Sequence, residues 1–575
     1  MSSPNQMCNN YKTLTVFTVL LAANSVFGQN KMLIPDTVSG QTINLELKSG
    51  NHNFYPSKST KTLGANGNVL GPTLMIMSGD SVHVSVKNSL KDTTTIHWHG
   101  MHVPANVDGG PHTFILPKSV WSPSFKVMDK AATYWYHPHL HHKTNEHVSK
   151  GISGFIIVRD NEETLLNLPR TYGVDDVPIV IQTKCFDVNK QIVVNSNSDS
   201  VPMVNATINA FYNMPAQVVR LRLLNGSSQR VFNIGFSNDN KFYQIASDGG
   251  LLDQPVLKTR LMLSPGERAE ILLDLTEFKG KTVVMKSFGS ELSNGIYGAS
   301  NPGMGPMLTL DGYNPNPLNG SDFSLLNIYV GNTTKNAVTS ILKDLVVVKR
   351  INRDSVDITR RLTLNPESMG RNQLNGRFLI NSKSFDMGYI DYDIPLNNVE
   401  VWSIQNMSGI AHPFHIHDVQ FNLLSRNGSP PPLNEEGWKD VVLIKPQETV
   451  EFITKFEDFA DTLTPYMFHC HMLTHEDEGM MGQFIVRSQK TAGISFVEDD
   501  LIIYPNPVRS GVYIELESGN IMEQTEIFDA TGRLVHSELI KGLNKLFLAF
   551  NYSSGIYTIR VSSGNQIVQK KLIKL

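Results

Sequence analysis

The sequence predicts an all-β chain of several β-sandwich domains, and three observations lead there. Val and Ile fall in short alternating runs, long helical periods are scarce, and 42 Gly and 29 Pro punctuate the runs, as in short strands joined by turns. A chain of 575 residues is too long for one hydrophobic core, because single cores stop growing beyond about 250–300 residues. Three or four domains are therefore expected. A net charge of −3 without any basic run argues against nucleic acid or a membrane surface as a partner.

Taken in order, residues 1–28 read as a secretory signal. Lys12 precedes an apolar run over 14–23, and Val26-Phe27-Gly28 ends in a small residue before Gln29. The run is too short to span a bilayer comfortably, so export without stable membrane insertion is expected. Residues 29–160 form the first domain, with strands expected over 82–88, 93–99, 134–139 and 151–158. Residues 161–345 carry the same strand signature without metal-ligating motifs and read as a spacer. Their run 216–225 ends on Asn225 as 82–88 ends on Asn88, and 266–274 reads as a turn and a strand. The Gly-, Asn- and Pro-rich 294–320 reads as a loop or linker. Residues 346–495 repeat the first domain: 399–406, 466–471 and 479–486 match its strands in order. The repeat aligns Pro138 with Cys470 and Ile152 with Met480. Residues 496–575 change character again, and their short strands and Gly turns indicate a small β-sandwich.

The chemistry concentrates in 469–481, HCHMLTHEDEGMM. In a strand, side chains alternate faces, so His469 and His471 point one way and Cys470 the other. Cys470 has His475 five residues on and Met480 ten residues on. Thiolate, imidazole and thioether together suit copper, and one more histidine completes a His₂Cys site with a long axial Met. His412, just outside the pair His415/His417, is the candidate. The pairs His97/His99, His137/His139, His415/His417 and His469/His471 give eight imidazoles, a copper-cluster set rather than a single zinc, which takes about four ligands. Neither copy of the repeat holds all eight, so the cluster belongs between the two copies.

HWHG (97–100), WYHPH (135–139), HPFHIH (412–417) and HCHMLTHEDEGMM stand complete and in order, and with them residues 40–490 resemble the multicopper oxidases: laccases, bilirubin oxidases and bacterial cuprous oxidases. The resemblance implies three cupredoxin-like Greek-key β-sandwich domains and four coppers per chain. It matches His412, Cys470, His475 and Met480 to the type 1 ligands, and His97 and His415 to type 2. It matches His99, His137, His139, His417, His469 and His471 to the type 3 pair. It implies dioxygen as acceptor and a small-molecule or metal-ion electron donor. It places Asp108 and Glu476 where the family keeps carboxylates that relay protons and orient ligands. Beside that stands a plain reading, in which Asp108-Gly109 is a turn and Glu476 is solvated. The segments 504–507, 527–535, 555–561 and 570–575 resemble the C-terminal sorting domain of type IX secretion. That implies passage across the outer membrane by that machinery, to the medium or cell surface, and then removal of the domain. An ordinary carbohydrate-binding or adhesive β-domain is the plain alternative.

Met369, Met387 and Met407 are scattered, and no Met-rich run stands in the last domain. This favours a laccase-like oxidase of phenolic or similar donors over a cuprous or ferrous oxidase of copper tolerance; core filling is the plain reading of these methionines. The other classes are a non-catalytic secreted copper-binding protein and a relative that kept the scaffold and lost its copper. A two-domain nitrite reductase is disfavoured, since six histidines are here for a type 3 pair. A monomer is expected. His102, His112, His141, His142 and His147 read as rim or loop residues, and His52, His83 and His536 as surface residues. Cys8 lies in the signal and Cys185 has no evident partner, so no disulfide is expected; Cys185 reads as a buried apolar residue.

Overall fold

The structure, a computed structural model, describes residues 28–196, 198–301, 316–367, 377–488, 501–516, 521–563 and 566–575. Residues 1–27 of the expected signal 1–28, most of the expected loop 294–320 and Met369 lie outside these. The described residues form eight sheets with only a few short helices, the all-β architecture the sequence predicts. They fall into two compact units, one through Arg487 and one from Ser488 onward.

The first unit holds three pairs of sheets, each closed on its own core. In the first pair, two five-stranded sheets enclose Ile43, Val84, Trp98, Tyr136 and Ile156. Its working elements are β1 (Ser81–Asn88), β2 (His97–His99), α1 (Ala105–Asp108), β3 (Ala132–His137), α2 (Thr144–Lys150) and β4 (Gly154–Arg159). The alternation of Val82, Val84 and Val86 with polar residues sets β1 half-buried, as its period requires. The middle pair, of six and eight strands, is centred on β5 (Val218–Asn225) and β6 (Arg268–Asp274), buried along almost all their length. Asn30–Lys31 pairs with this sheet at Ala210 and Phe211, so the first described strand joins the middle core. The third pair, again two five-stranded sheets, contains β7 (Val399–Asn406), β8 (His412–Ile416), β9 (Val441–Ile444), β10 (Asp461–Cys470), α3 (Leu473–Asp477) and β11 (Met481–Arg487). Its core joins Trp402, Phe414, Phe452 and Phe484 to Cys470 and Met480. Each such side chain stabilises the fold by about 1.5–3 kcal/mol when fully buried.

The internal repeat is visible in register. Trp98 and His97 face Tyr136 and His137 across β2 and β3, and Ile416 and His415 face Phe468 and His469 across β8 and β10. Tyr136 then faces Gly154 and Phe468 faces Gly482. Both glycines are required, because a Cβ would lie 2.4 Å from the Tyr136 hydroxyl at one and 2.2 Å from the Phe468 ring at the other. One asparagine turn closes the matching strand in all three domains. Asn88 donates to Asp92 O and Ile115 O, Asn225 to Arg230 O and Leu263 O, and Asn406 to Ile410 O and Ile444 O.

A network of ion pairs, buried mostly within the middle domain, reaches the first domain at Arg159. Arg222 reaches Asp176 and Glu270, Arg220 reaches Glu163 and Glu270, and Arg159 reaches Asp176. Removing one partner from such a network costs about 3–5 kcal/mol, since a charge is left buried and unpaired. The second unit is a small sandwich of a three- and a four-stranded sheet over Leu501, Ile514, Ile527, Val561 and Leu572.

Candidate metal centres

Eight imidazoles converge between the first and third domains. β2 and β3 bring His97, His99, His137 and His139; β8 and β10 bring His415, His417, His469 and His471, and all eight are at most 1% exposed. Their ring nitrogens sort into groups: His99, His137 and His471 form one, and His139, His417 and His469 a second. A third group joins His97 and His415 with His417. Nδ1 of His99 lies 3.3 Å from Nε2 of His137 and 3.2 Å from Nε2 of His471. Nε2 of His469 lies 3.1 Å from Nε2 of His139 and 3.4 Å from Nε2 of His417. Nitrogens each about 2.0 Å from one tetrahedral ion stand about 3.3 Å apart. His97 and His415 donate from Nδ1 to Asp108 O at 3.0 Å and Asp440 O at 2.8 Å. That leaves Nε2 of both buried and without a hydrogen-bond partner. Orphaned buried nitrogens are rare unless something binds them, so this donor set fits metal ions.

Burial holds seven of the eight rings neutral, the form that ligates. It pushes His99, His137, His139, His415, His417 and His471 well below the ordinary histidine range, with the neighbouring imidazoles adding to the shift at each. Burial brings His469 down to about 3. Two carboxylates approach from behind. Asp108 accepts from His417 Nδ1 at 2.8 Å and lies 3.3 Å from His97. Glu476 lies 3.5 Å from Nδ1 of both His139 and His469, and burial raises its carboxyl well above the usual range. Asp108 and Glu476 are 1% exposed, so Glu476 is not solvated, while Asp108 does precede a turn, at Gly109 with φ +82°. A third carboxylate, missed from the sequence, is Asp440, which accepts from His99 Nε2 at 3.1 Å.

The opposite face of Cys470 meets His412 and His475. Its Sγ is 3.6 Å from Nδ1 of each. Met480 is fully buried in the same core, and its carbonyl accepts from the Cys470 amide at 3.1 Å. Phe378 lies against both imidazoles. Burial pushes the thiol up and the His475 ring down to about 4; a soft metal here displaces the thiol proton. Nε2 of His412 donates to Ser408 Oγ at 2.9 Å, a partner that no spacing rule announces. His412 is 0% exposed and His475 8%.

The remaining histidines depart from the sequence reading in part. His147 is buried on α2, with Nδ1 3.1 Å from Thr94 Oγ1, so it is not a rim residue. His102 is a clasp between domains, reaching Asp418 at 2.9 Å and Asp458 at 3.1 Å. His112 donates to Gln483 Oε1 at 2.7 Å. His141 stacks 3.7 Å from His142, which donates to Asp477 O. His52 is half-buried against Ala206 O and His536 is half-buried, whereas His83 is exposed as expected. Cys185 is buried, as expected. Met387 and Met407 are 37% and 48% exposed, so they are not core fillers.

Comparison with known proteins gives the family. Residues 46–163 and 356–490 each match a multicopper oxidase family model, and 502–575 match the secretion system C-terminal sorting domain. The multicopper oxidase mco of Staphylococcus haemolyticus is 34% identical over 481 residues, 80% of this chain and 94% of the relative. A solved bacterial laccase-like multicopper oxidase from Ochrobactrum sp. superposes with a TM-score of 0.69 at 30% identity, over 79% of this chain and all of that one. The cell division protein FtsP of Xenorhabdus nematophila is 30% identical over 460 residues, 78% of this chain and 89% of the relative. The chain belongs to the multicopper oxidase family and carries a C-terminal sorting domain of type IX secretion.

Proposed function

We propose that the protein is a secreted, laccase-like multicopper oxidase that couples one-electron oxidation of a phenolic or similar donor to four-electron reduction of dioxygen to water. The observation that carries this is Cys470, whose side chain faces His412 and His475 while the residues on either side of it, His469 and His471, face the imidazole cluster. In this reading residues 29–160, 161–345 and 346–495 are cupredoxin domains, and residues 1–28 direct export. His412, Cys470, His475 and Met480 hold a type 1 copper, His97 and His415 the type 2, and His99, His137, His139, His417, His469 and His471 the type 3 pair. Copper, when bound, supplies one-electron acceptance at the first site and dioxygen reduction at the cluster.

The chain's own residues then do four things. The backbone from Cys470 to its two neighbours is a covalent path between the sites, so no mobile carrier is needed. His475, the more exposed of the two imidazoles at the thiol site, is where a donor approaches. Asp108 and Glu476 relay protons and orient the ligand rings beside the cluster. Asp440 fixes His99 and His415. The test is a set of steady-state rates with a dimethoxyphenol, bilirubin, Cu(I) and Fe(II), with oxygen uptake recorded for each. The phenol should give the highest kcat/KM. No oxygen uptake with any donor by copper-loaded protein would favour sequestration of the metal without turnover.

A metal donor is the second reading. The exposed thioethers of Met387 and Met407 favour it, Met407 standing next to Ser408, which caps His412. A kcat/KM higher for Cu(I) than for the phenol, and lowered by Met407→Leu, would establish it. After export the C-terminal domain is removed in this account, and the oxidase acts as a monomer.

A further inference from the structure

The middle domain contributes no metal-binding group among the described residues, and the sequence reads it as a spacer. Its turn before β6 nevertheless forms a wall of the cluster. Gly266 has φ +84°, and a Cβ there would lie 2.9 Å from the His471 ring, so only glycine lets this backbone approach the imidazole. Two residues on, Arg268 is fully buried and every guanidinium N–H is used. Nε donates to Thr133 O at 3.0 Å. Nη1 donates to Gly266 O at 3.0 Å and Asp440 Oδ1 at 2.6 Å. Nη2 donates to Asp248 O at 3.1 Å and Asp440 Oδ2 at 2.5 Å. The fork therefore joins the first, middle and third domains. The glycine of HWHG makes room for it: a Cβ on Gly100 would lie 2.4 Å from Asp440 Oδ2 and 2.6 Å from Arg268 Nη2.

Asp440 matters because of which way His99 faces. His99 turns Nδ1 toward His137 and His471, so its proton must sit on Nε2, and Asp440 Oδ1 is the acceptor there at 3.1 Å. The carbonyl of Asp440 holds His415 as well. Without the guanidinium, Asp440 would be a carboxylate with no cation beside it in a dry interior, which is strongly disfavoured, and nothing would hold it in place against His99. The other imidazole triad is backed differently. Asp108 and Glu476 stand behind it, and among the described residues neither pairs with an arginine or lysine.

We propose that Arg268, through its fork on Asp440, is a positioning residue for the His99/His137/His471 half of the cluster, so that the middle domain builds the trinuclear site without ligating it. This rests on the four-copper reading above. The test compares wild type, Arg268→Lys and Arg268→Gln, each loaded with copper and dialysed against a graded chelator. Copper per chain is read by elemental analysis, and the visible thiolate-to-copper band reports the Cys470 site in the same sample. Loss of an outer partner of a ligand histidine weakens metal retention about 10–100-fold. Arg268→Gln should therefore release cluster copper at correspondingly lower chelator while keeping the visible band, with Arg268→Lys in between because it keeps the charge and loses the fork. Equal chelator resistance in Arg268→Gln and wild type overturns the inference alone. Loss of the visible band in parallel with cluster copper, in both variants, makes Arg268 a general folding residue and also overturns it. A wild type that never reaches four coppers removes the proposed function, and this inference with it.

Discussion

The first and third domains place different side chains on one scaffold. The matching turns put Thr94 where the third domain has His412: Thr94 bridges to Ile115 and His412 to Ile444, and each isoleucine carbonyl accepts from the turn asparagine, Asn88 or Asn406. Pro138 stands for Cys470, Ile152 for Met480 and Leu90 for Ser408. The first domain fills this place with a buried Thr94–His147 hydrogen bond, a satisfied polar pair that needs no metal. The third fills it with a thiol, two imidazoles and a thioether. The difference teaches that the sandwich fixes the positions and a handful of side chains decides whether one of them gathers a metal-ligating set.

The largest expected effect breaks that difference. Cys470→Ser takes the thiolate away from the third domain, so the visible band should vanish and donor oxidation should fall to background, read by absorption and oxygen uptake. The cluster, whose ligands face the other way, should keep its copper. Next comes Asp108→Asn, which removes a carboxylate that touches His97 and His417 of the cluster. Turnover should fall about 10–100-fold with the visible band intact; unchanged turnover would remove Asp108 from the mechanism.

Ser408→Ala copies the apolar character of Leu90 into the third domain. Nε2–H of His412 then loses its acceptor, the imidazole becomes a weaker donor, and the midpoint potential of the Cys470 site should rise by an amount worth about 1 kcal/mol. Ser408→Thr should restore it. A potential that does not move would make the serine a turn residue only, as Ser227 is in the middle domain, where it bonds Asn225 and Arg230 O.

The smallest effect concerns how the two domains are held together. Burial lowers the His102 pKa, but Asp418 and Asp129 outweigh it and hold the ring up at about 10; Asp458 reaches the same ring and Phe459 lies against it. With the folded value raised, this stabilisation is complete below about 6.5 and is lost as pH rises through about 10. In chemical denaturation, wild type should exceed His102→Gln by on the order of 1–2 kcal/mol at pH 6, and the gap should narrow as pH approaches about 10 and close above it. A gap independent of pH would contradict the charged clasp.

Much of this site was legible because its signals are local. His-x-His on a strand places two rings on one face whatever surrounds it, and Cys470, His475 and Met480 lie within eleven residues. The repeat was legible because Gly154 and Gly482 answer to the same ring contacts. What escaped depends on distance in the chain. Arg268 and Asp440 stand 172 positions apart, and Asp440 carries no motif of its own. Ser408 sits in a turn whose pattern also serves the middle domain, at Ser227. His147 was misread because the histidines around it at 141 and 142 are indeed peripheral, while α2 turns His147 inward. The strand at Asn30–Lys31 was missed because two residues carry no period to read.

The central claim is that twelve side chains between His97 and Met480 make one mononuclear and one trinuclear copper site. Elemental analysis of purified, copper-loaded protein, taken with its visible spectrum, tests this most directly. The account predicts four coppers per chain and an intense thiolate-to-copper band; one or two coppers, or four without that band, would contradict it.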